Sequence, residues 1–279
     1  MLNIFTFADK RPDFIEWQAA TLKYFMRDEY RYFVFNNAYN NRRKISDACA
    51  AHGAVCIDLP YLAMDHSNPN AACAAPLNWA WKNVIVPSFG NEACLIIDSD
   101  MFLVHPLTCT YISATKAVRE WGLPLMGVKQ RRGHVKYIWN GIIKATRPHF
   151  LKELDFNYGE VDGVLTDVGG FTHHFLEKEP DWRRRFGNIT HTSHIHPKNN
   201  NLHVLPVELL KDYDHEFCME LYDYTFLHYG RGSNWDNQNE DYHTRKTEFL
   251  KRALTMAMNK TIKFERYDYV FSEDEWKEK

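Results

Sequence analysis

Asp98 and Asp100 stand one residue apart, directly after the apolar run Ala93-Cys94-Leu95-Ile96-Ile97 and directly before Met101-Phe102-Leu103-Val104. Taking an ionised carboxylate out of water is costly unless something pairs with it. Two of them at the end of a buried strand therefore call for a cation or a donor-rich ligand. A hard divalent metal is the simplest such partner. Alternate residues of an extended segment point the same way, so Asp98 and Asp100 can face one site while Ser99 turns aside. A second stretch with ligand chemistry lies far along the chain, at His228-Tyr229-Gly230-Arg231-Gly232-Ser233-Asn234-Trp235. There an imidazole can ligate a metal, and the Arg231 guanidinium suits phosphate oxygens. A third, His191-Thr192-Ser193-His194-Ile195-His196, crowds three imidazoles into six positions. No carboxylate or cysteine stands close in sequence to complete a zinc site, so it reads as a surface segment or a lid over an acceptor. Folding alone competes for each of these. An acidic strand-end turn can cap a helix, and a strand-end histidine can be a hydrogen-bonded structural residue.

A site at the carboxyl ends of strands in an open sheet needs helices and strands in alternation to build it. Leu2 to Phe7 reads as a first strand, ended by Ala8-Asp9-Lys10-Arg11-Pro12. A helix follows, with Asp13 and Glu16 as a capping pair and Ile15, Leu22, Phe25 and Met26 at helical spacing. Tyr30 to Phe35 and Val55 to Pro60 read as strands around a helix over 42–53. Tyr61 to Asn70 is loop-like, Ala71 to Val86 helical, and Cys94 to Ile97 the strand that carries the carboxylates. Such alternation argues for parallel strands with right-handed crossovers. Leu125 to Lys129 and Val135 to Ile143 read as strands, the second interrupted at Trp139-Asn140-Gly141. Asp162 to Gly170, with two acids and three glycines, is turn-rich. Asn188 to Asn201 reads as a polar loop, Leu202 to Val207 and Tyr224 to His228 as short strands, 237–260 as a helix, and 272–279 as a frayed tail. No repeat and no linker divides the chain. The expectation is one domain over 1–279, with a nucleotide-binding half (1–110), an acceptor-side half (111–236) and a C-terminal helix and tail (237–279).

Composition narrows the classes. With 45% hydrophobic and 25% charged residues the chain has the make-up of an ordinary globular protein, which excludes disorder. A net charge of −2 argues against a partner held mainly through nucleic-acid phosphates. Two basic clusters, Lys129-Gln130-Arg131-Arg132 and Arg183-Arg184-Arg185, leave room for peripheral contact with an acidic lipid surface or a phosphorylated ligand, beside the plainer reading of a solvated face. The cysteines at 49, 56, 73, 94, 109 and 218 form no CxxC pair, Cys56 and Cys94 sit in apolar runs, and they read as buried free thiols. The strand-like start leaves no room for a signal peptide, and no apolar run reaches the roughly 18 residues a bilayer span needs. A cytoplasmic setting with no transmembrane segment is the resulting expectation.

The segment Trp79-Ala80-Trp81-Lys82, followed by the apolar strand and Asp98-Ser99-Asp100, resembles the signature region of GT-A fold glycosyltransferases with an Asp-x-Asp motif. His228-Tyr229-Gly230-Arg231-Gly232-Ser233-Asn234-Trp235 is similar to the His-containing C-terminal motif of their family 8 type nucleotide-sugar transferases. It is one residue shorter between His and Trp, with Ser233-Asn234 in place of a Lys-Pro. The resemblance implies an α/β, Rossmann-like single domain with a mixed, mostly parallel central sheet and helices on both faces. It implies transfer of a sugar from a nucleoside diphosphate sugar, a UDP-sugar foremost, to a glycan or other hydroxyl acceptor. Mn2+ or Mg2+ would be held by Asp98, Asp100 and His228. The donor would be met by Thr6, Phe7, Ala8, Lys82, Asp98, Ser99, Gly230, Arg231 and Trp235. Asn140, in an Asn-x-Gly-like element, and Asp162 and Asp167 are the catalytic candidates on the acceptor side. Asp167 is favoured, because Gly169-Gly170 beside it admits close backbone approach to a ligand.

Two other classes compete. Haloacid dehalogenase type phosphatases also place Asp-x-Asp after an apolar strand, but near the N-terminus and with other residues after the second Asp. A non-catalytic nucleotide- or sugar-binding protein of the same fold is the other alternative.

Overall fold

Strand β1 (Leu2–Ala8) is buried along nearly its whole length, and its alternation sorts the molecule into two cores. Leu2, Ile4 and Ala8 face one of them, Phe5 the other. The first core is closed by helices α1 (Pro12–Phe25) and α2 (Arg42–Ala51), through Phe14, Ile15, Leu22, Phe25, Ile45 and Cys49. The second is closed by α3 (Pro69–Ala80) and the π-helical turn Trp81–Ile85, through Leu77, Ala80, Trp81 and Ile85. Helices thus cover both faces, as burial on two sides requires. The computed structural model describes residues 1–62, 65, 68–108, 125–178, 186–189, 191–195, 204–230 and 240–267.

The large sheet has the order β10-β6-β7-β4-β1-β2-β3. Its strands are β2 (Tyr30–Asn36), β3 (Val55–Asp58), β4 (Cys94–Ile97), β6 (Leu125–Arg132), β7 (Val135–Ala145) and β10 (Phe186–Asn188), beside β1. The β3-β2-β1-β4 run and the β6-β10 pair are parallel, whereas β7 is antiparallel to both its neighbours. This is the mixed, mostly parallel α/β architecture expected from the sequence. A second, antiparallel sheet has the order β11-β12-β13-β5, made of β5 (Met101–Leu103), β11 (His191–Ile195), β12 (Met219–Tyr222) and β13 (Phe226–His228). β8 (Gly159–Val161) and β9 (Val164–Thr166) form a separate hairpin. Short helices α4 (Val86–Phe89), α5 (Thr172–Lys178) and α6 (Val207–Leu210) precede the long α7 (Glu240–Met258), which packs Phe249, Leu250, Ala253 and Leu254 into the first core. Among the described residues, no helix is long and apolar enough to cross a membrane.

Several elements differ from expectation. Helix α1 starts at Pro12 with no side-chain cap, and Asp13 instead accepts from the Arg11 guanidinium at 2.8 Å. Helix α3 starts earlier than expected because Asn68 caps it, accepting from the N–H groups of Asn70 and Ala71. β7 runs unbroken through Trp139-Asn140-Gly141. The interruption lies in the ladder, since Gly127 pairs with Ile143 while Val128 pairs with Trp139. The bulged residues turn to β4 instead, with Ile142 opposite Ile97. The polar stretch expected as a loop, Asn188 to Asn201, begins on the last residue of β10 and contains β11, each made a strand by pairing with a remote partner. In the segment expected as a strand up to Val207, residues 204–210 end in helix α6. Cys49 and Cys94 are buried free thiols, and Cys56, Cys73 and Cys218 are half-buried ones. Cys109, Arg183, Arg184 and Arg185 lie outside the described residues.

Candidate metal centre

Asp98 and Asp100 follow β4, at the carboxyl end of the parallel run. The chain then turns sharply, with the Met101 N–H bonded to the Asp98 carbonyl at 3.2 Å, and enters the second sheet as β5. Register brings the distant histidine here. β13 pairs antiparallel with β5, placing His228 opposite Met101, and the Tyr229 N–H bonds to the Asp100 carbonyl at 2.8 Å. His228 Nε2 lies 3.2 Å from Asp100 Oδ1. One ligand atom each from Asp98, Asp100 and His228 lies within 4.8 Å of the others, a set able to hold a metal ion. Asp100 and His228 are both 8% exposed, while Asp98 is half-buried.

Three supports that sequence reasoning missed hold this turn. Gln18, on the apolar face of α1, donates from Nε2 to the carbonyls of Asp98 (2.8 Å) and Met101 (2.7 Å) and accepts from the Tyr32 hydroxyl (2.7 Å). The bulge in β7 contributes the Gly141 carbonyl, which accepts from the Asp98 N–H at 2.9 Å. A side chain at 141 would strike the Trp139 indole, because an added Cβ would lie 2.1 Å from it. That indole stacks on Tyr222 at 5.1 Å between centroids and lies 5.4 Å from the His228 ring. Glu220, opposite His228 on β12, is the third, with Oε2 2.7 Å from His228 Nδ1. A signal for Gln18 was present in the sequence, as a polar residue within the helical stripe of Ile15, Leu22 and Phe25.

The electrostatics fit a cation. Burial first, then the negative charge of Asp100, push the Asp98 carboxyl up to about 7 despite the opposing pull of His228. Burial pushes the His228 imidazole down, but Asp100 and Glu220 outweigh it and hold the ring well above its ordinary value. Two acids that resist sharing one site, with an imidazole beside them, form an oxygen and nitrogen donor set able to hold a divalent cation. The half-buried Cys73 of α3 reports the wider field. Burial raises its thiol, and Asp98, Asp100, Asp167 and Asp9 raise it further.

The other sequence candidates fall in varied places. Thr6 and Ala8 are buried in β1, the Thr6 hydroxyl having no hydrogen-bond partner, and Phe7 stacks on Phe35 at 5.0 Å. Lys82 is exposed on the π-helical turn, and Ser99 is half-buried in the turn between the two acids. Gly230 has φ +71 and gives its carbonyl to Lys246 Nζ at 2.8 Å. Asn140 is buried in the β7 bulge. Asp162 (φ 47) and Gly163 (φ 78) are the two left-handed residues of the β8–β9 hairpin turn, and the Asp162 carboxylate lies 3.3 Å from His173 Nε2. Asp167 pairs with Arg132 at 3.3 Å and accepts from its neighbour's N–H. Gly169 and Gly170 answer to the fold itself. A Cβ at 169 would lie 2.0 Å from the Ile138 carbonyl, and one at 170 would lie 1.8 Å from Thr166 Oγ1. Arg231 and Trp235 lie outside the described residues, as does His196. The side chains of His191 and His194 do too.

No protein-family model matches the chain, and no curated protein matches it. Among solved structures it is similar to S. aureus TarS, at 14% identity and a TM-score of 0.37 over 56% of this chain and 30% of that one. It is also similar to the mannosyltransferase PcManGT from Pyrobaculum calidifontis in complex with GDP-Man and Mn2+, at 15% identity and a TM-score of 0.42 over 67% of this chain and 54% of that one. The chain thus spans about half the length of the second protein and less of the first. Likenesses at these scores carry no argument about activity.

Proposed function

We propose that this chain is a metal-dependent glycosyltransferase that moves a sugar from a nucleoside diphosphate sugar to a hydroxyl acceptor. The observation that carries the reading is the meeting of Asp98 and Asp100, at the carboxyl end of a parallel strand, with His228 from a second sheet. Crevices at the carboxyl ends of parallel strands are where open α/β sheets bind ligands. Mn2+ or Mg2+ held by the three side chains supplies Lewis acidity at the diphosphate. The nucleotide-binding half, 1–110, places the backbone of Thr6, Phe7 and Ala8 at the end of β1, with Ser99 beside the acids. Thr6 is buried, so it meets the donor through its main chain. Gly230 and Arg231, with Lys82 and Trp235, supply the turn, cations and aromatic face at the departing nucleoside diphosphate. On the acceptor side, residues 111–236, Asn140 and Asp167 are the proposed sugar-facing groups, since Asp162 is committed to a hairpin turn. The acceptor is a glycan, and a UDP-sugar is the first donor to try.

The test is release of nucleoside diphosphate from a panel of UDP- and GDP-sugars, with Mn2+ and with chelator. Metal-dependent release that stops in Asp100→Ala supports the reading. Tight binding of the donors without release or transfer at any metal concentration favours a binding protein, and phosphate release from phosphomonoesters favours a phosphatase.

A further inference from the structure

His228 has two ring nitrogens, and the structure assigns a different neighbour to each. Nε2 faces Asp100 at 3.2 Å, and Nδ1 faces Glu220 Oε2 at 2.7 Å. The second contact follows from strand register. Glu220 and His228 are directly opposed on β12 and β13, and directly opposed residues project from the same face of a sheet. Glu220 is held in turn, since the Tyr222 hydroxyl donates to the same Oε2 at 2.9 Å and the Tyr222 ring stacks on Trp139. Only 10% of the His228 side chain and 16% of the Glu220 side chain are exposed, which leaves water little access to the pair.

An ionised carboxylate only accepts hydrogen bonds, so the ring nitrogen facing Glu220 must be an N–H. In a neutral imidazole the lone pair then belongs to Nε2, the nitrogen that looks toward the two aspartates. We propose that Glu220 is a positioning residue: it fixes His228 as the Nδ1–H tautomer, with Tyr222 and Trp139 steadying the pair, and so presents Nε2 to a divalent cation. This rests on the reading of Asp98, Asp100 and His228 as a metal site. Partners of this kind behind a ligating histidine typically change metal affinity by about 10–100-fold.

The test uses the full chain, with Mn2+ alone as the probe and free Mn2+ followed by electron paramagnetic resonance. Glu220→Ala is expected to weaken binding tenfold or more, approaching His228→Ala. Glu220→Gln, which keeps an oxygen opposite Nδ1, should restore most of the affinity. The double variant should bind no more weakly than His228→Ala alone, because the carboxylate acts only through that ring. A purely structural residue would show neither the rescue nor the lack of additivity. A second measurement needs no variant: 15N shifts of His228 in the Mg2+-loaded protein should report the Nδ1–H tautomer. Wild-type affinity in Glu220→Ala, equal losses with and without His228, or the Nε2–H tautomer would each overturn the role of Glu220. A wild-type chain that binds no Mn2+ would instead overturn the metal site itself.

Discussion

Asp98 and Asp100 end one strand and share one histidine, whereas Asp162 and Asp167, in and beyond the β8–β9 hairpin, each have a separate structural use. Asp162 sits at a left-handed turn position that Asp tolerates well, and Asp167 is paired with Arg132 at a surface where its side chain keeps 39% of its exposure. The strand-end pair is set differently. Its acids raise one another's cost of ionisation, and the bonds from Gln18, Tyr229 and the Gly141 carbonyl engage the backbone around them rather than their carboxylates. Two acidic regions of one chain thus separate into one whose charge serves the fold and one whose charge the fold must tolerate. Tolerated charge is where ligand chemistry concentrates.

The largest effect should come from the strand-end pair. Asp100→Ala is expected to lower metal-dependent release of nucleoside diphosphate by at least about 100-fold while leaving the protein folded, because it removes a donor that acts in the charged transition state. Activity near wild type would erase the contrast between the regions. Gly169→Ala probes the other side. At φ +89, with an added Cβ 2.0 Å from the Ile138 carbonyl, it should lose about 2–4 kcal/mol of stability in denaturant melts. A variant as stable as wild type would return the glycines to a ligand role.

The pH dependence sharpens the comparison next. With its folded value raised from 3.8 to about 7, Asp98 binds a proton more tightly in the folded chain than in the unfolded one. The stability it contributes is therefore full below about pH 3.8 and is lost as pH rises through about 7. A cation competes with that proton and with the one on the raised His228 ring, so Mn2+ affinity should rise at least about fivefold from pH 6 to 7 and go on rising above pH 7. A flat titration across that range would mean that Asp98 is not a ligand. The smallest change belongs to Asp167→Asn. Loss of an exposed ion pair should cost about 0–1 kcal/mol and leave Mn2+ affinity unaltered. A drop in turnover at full metal affinity is what the proposed place of Asp167 on the acceptor side predicts, unchanged turnover would leave it only its pairing with Arg132, and a drop in metal affinity would merge the two regions.

The alternation of strands and helices through β4 was legible because each of those elements announces itself locally, by apolar runs, helical spacing and turn residues. The acidic pair and His228 were legible by residue type. Their meeting was implied by the resemblance alone and by no local pattern, because it depends on β13 pairing with β5, a register between segments far apart in sequence. Glu220 was hidden for the same reason. Its strand, Met219–Tyr222, is short and exists through its partners on either side. Gly169 and Gly170 could be recognised as places of close approach, but only packing shows that the approaching groups are Ile138 and Thr166. Gln18 carried a signal, a polar residue on an apolar helix face, whose targets are backbone carbonyls that no sequence pattern points to.

The most direct test of the account is calorimetric titration of UDP and of GDP into the full chain, with Mn2+ and with chelator, for wild type and Asp100→Ala. The account predicts that a nucleoside diphosphate binds wild type in the presence of Mn2+, and that chelator or the substitution weakens that binding at least about 100-fold. Equal affinity with and without metal, or unchanged metal-dependent binding in Asp100→Ala, would contradict it.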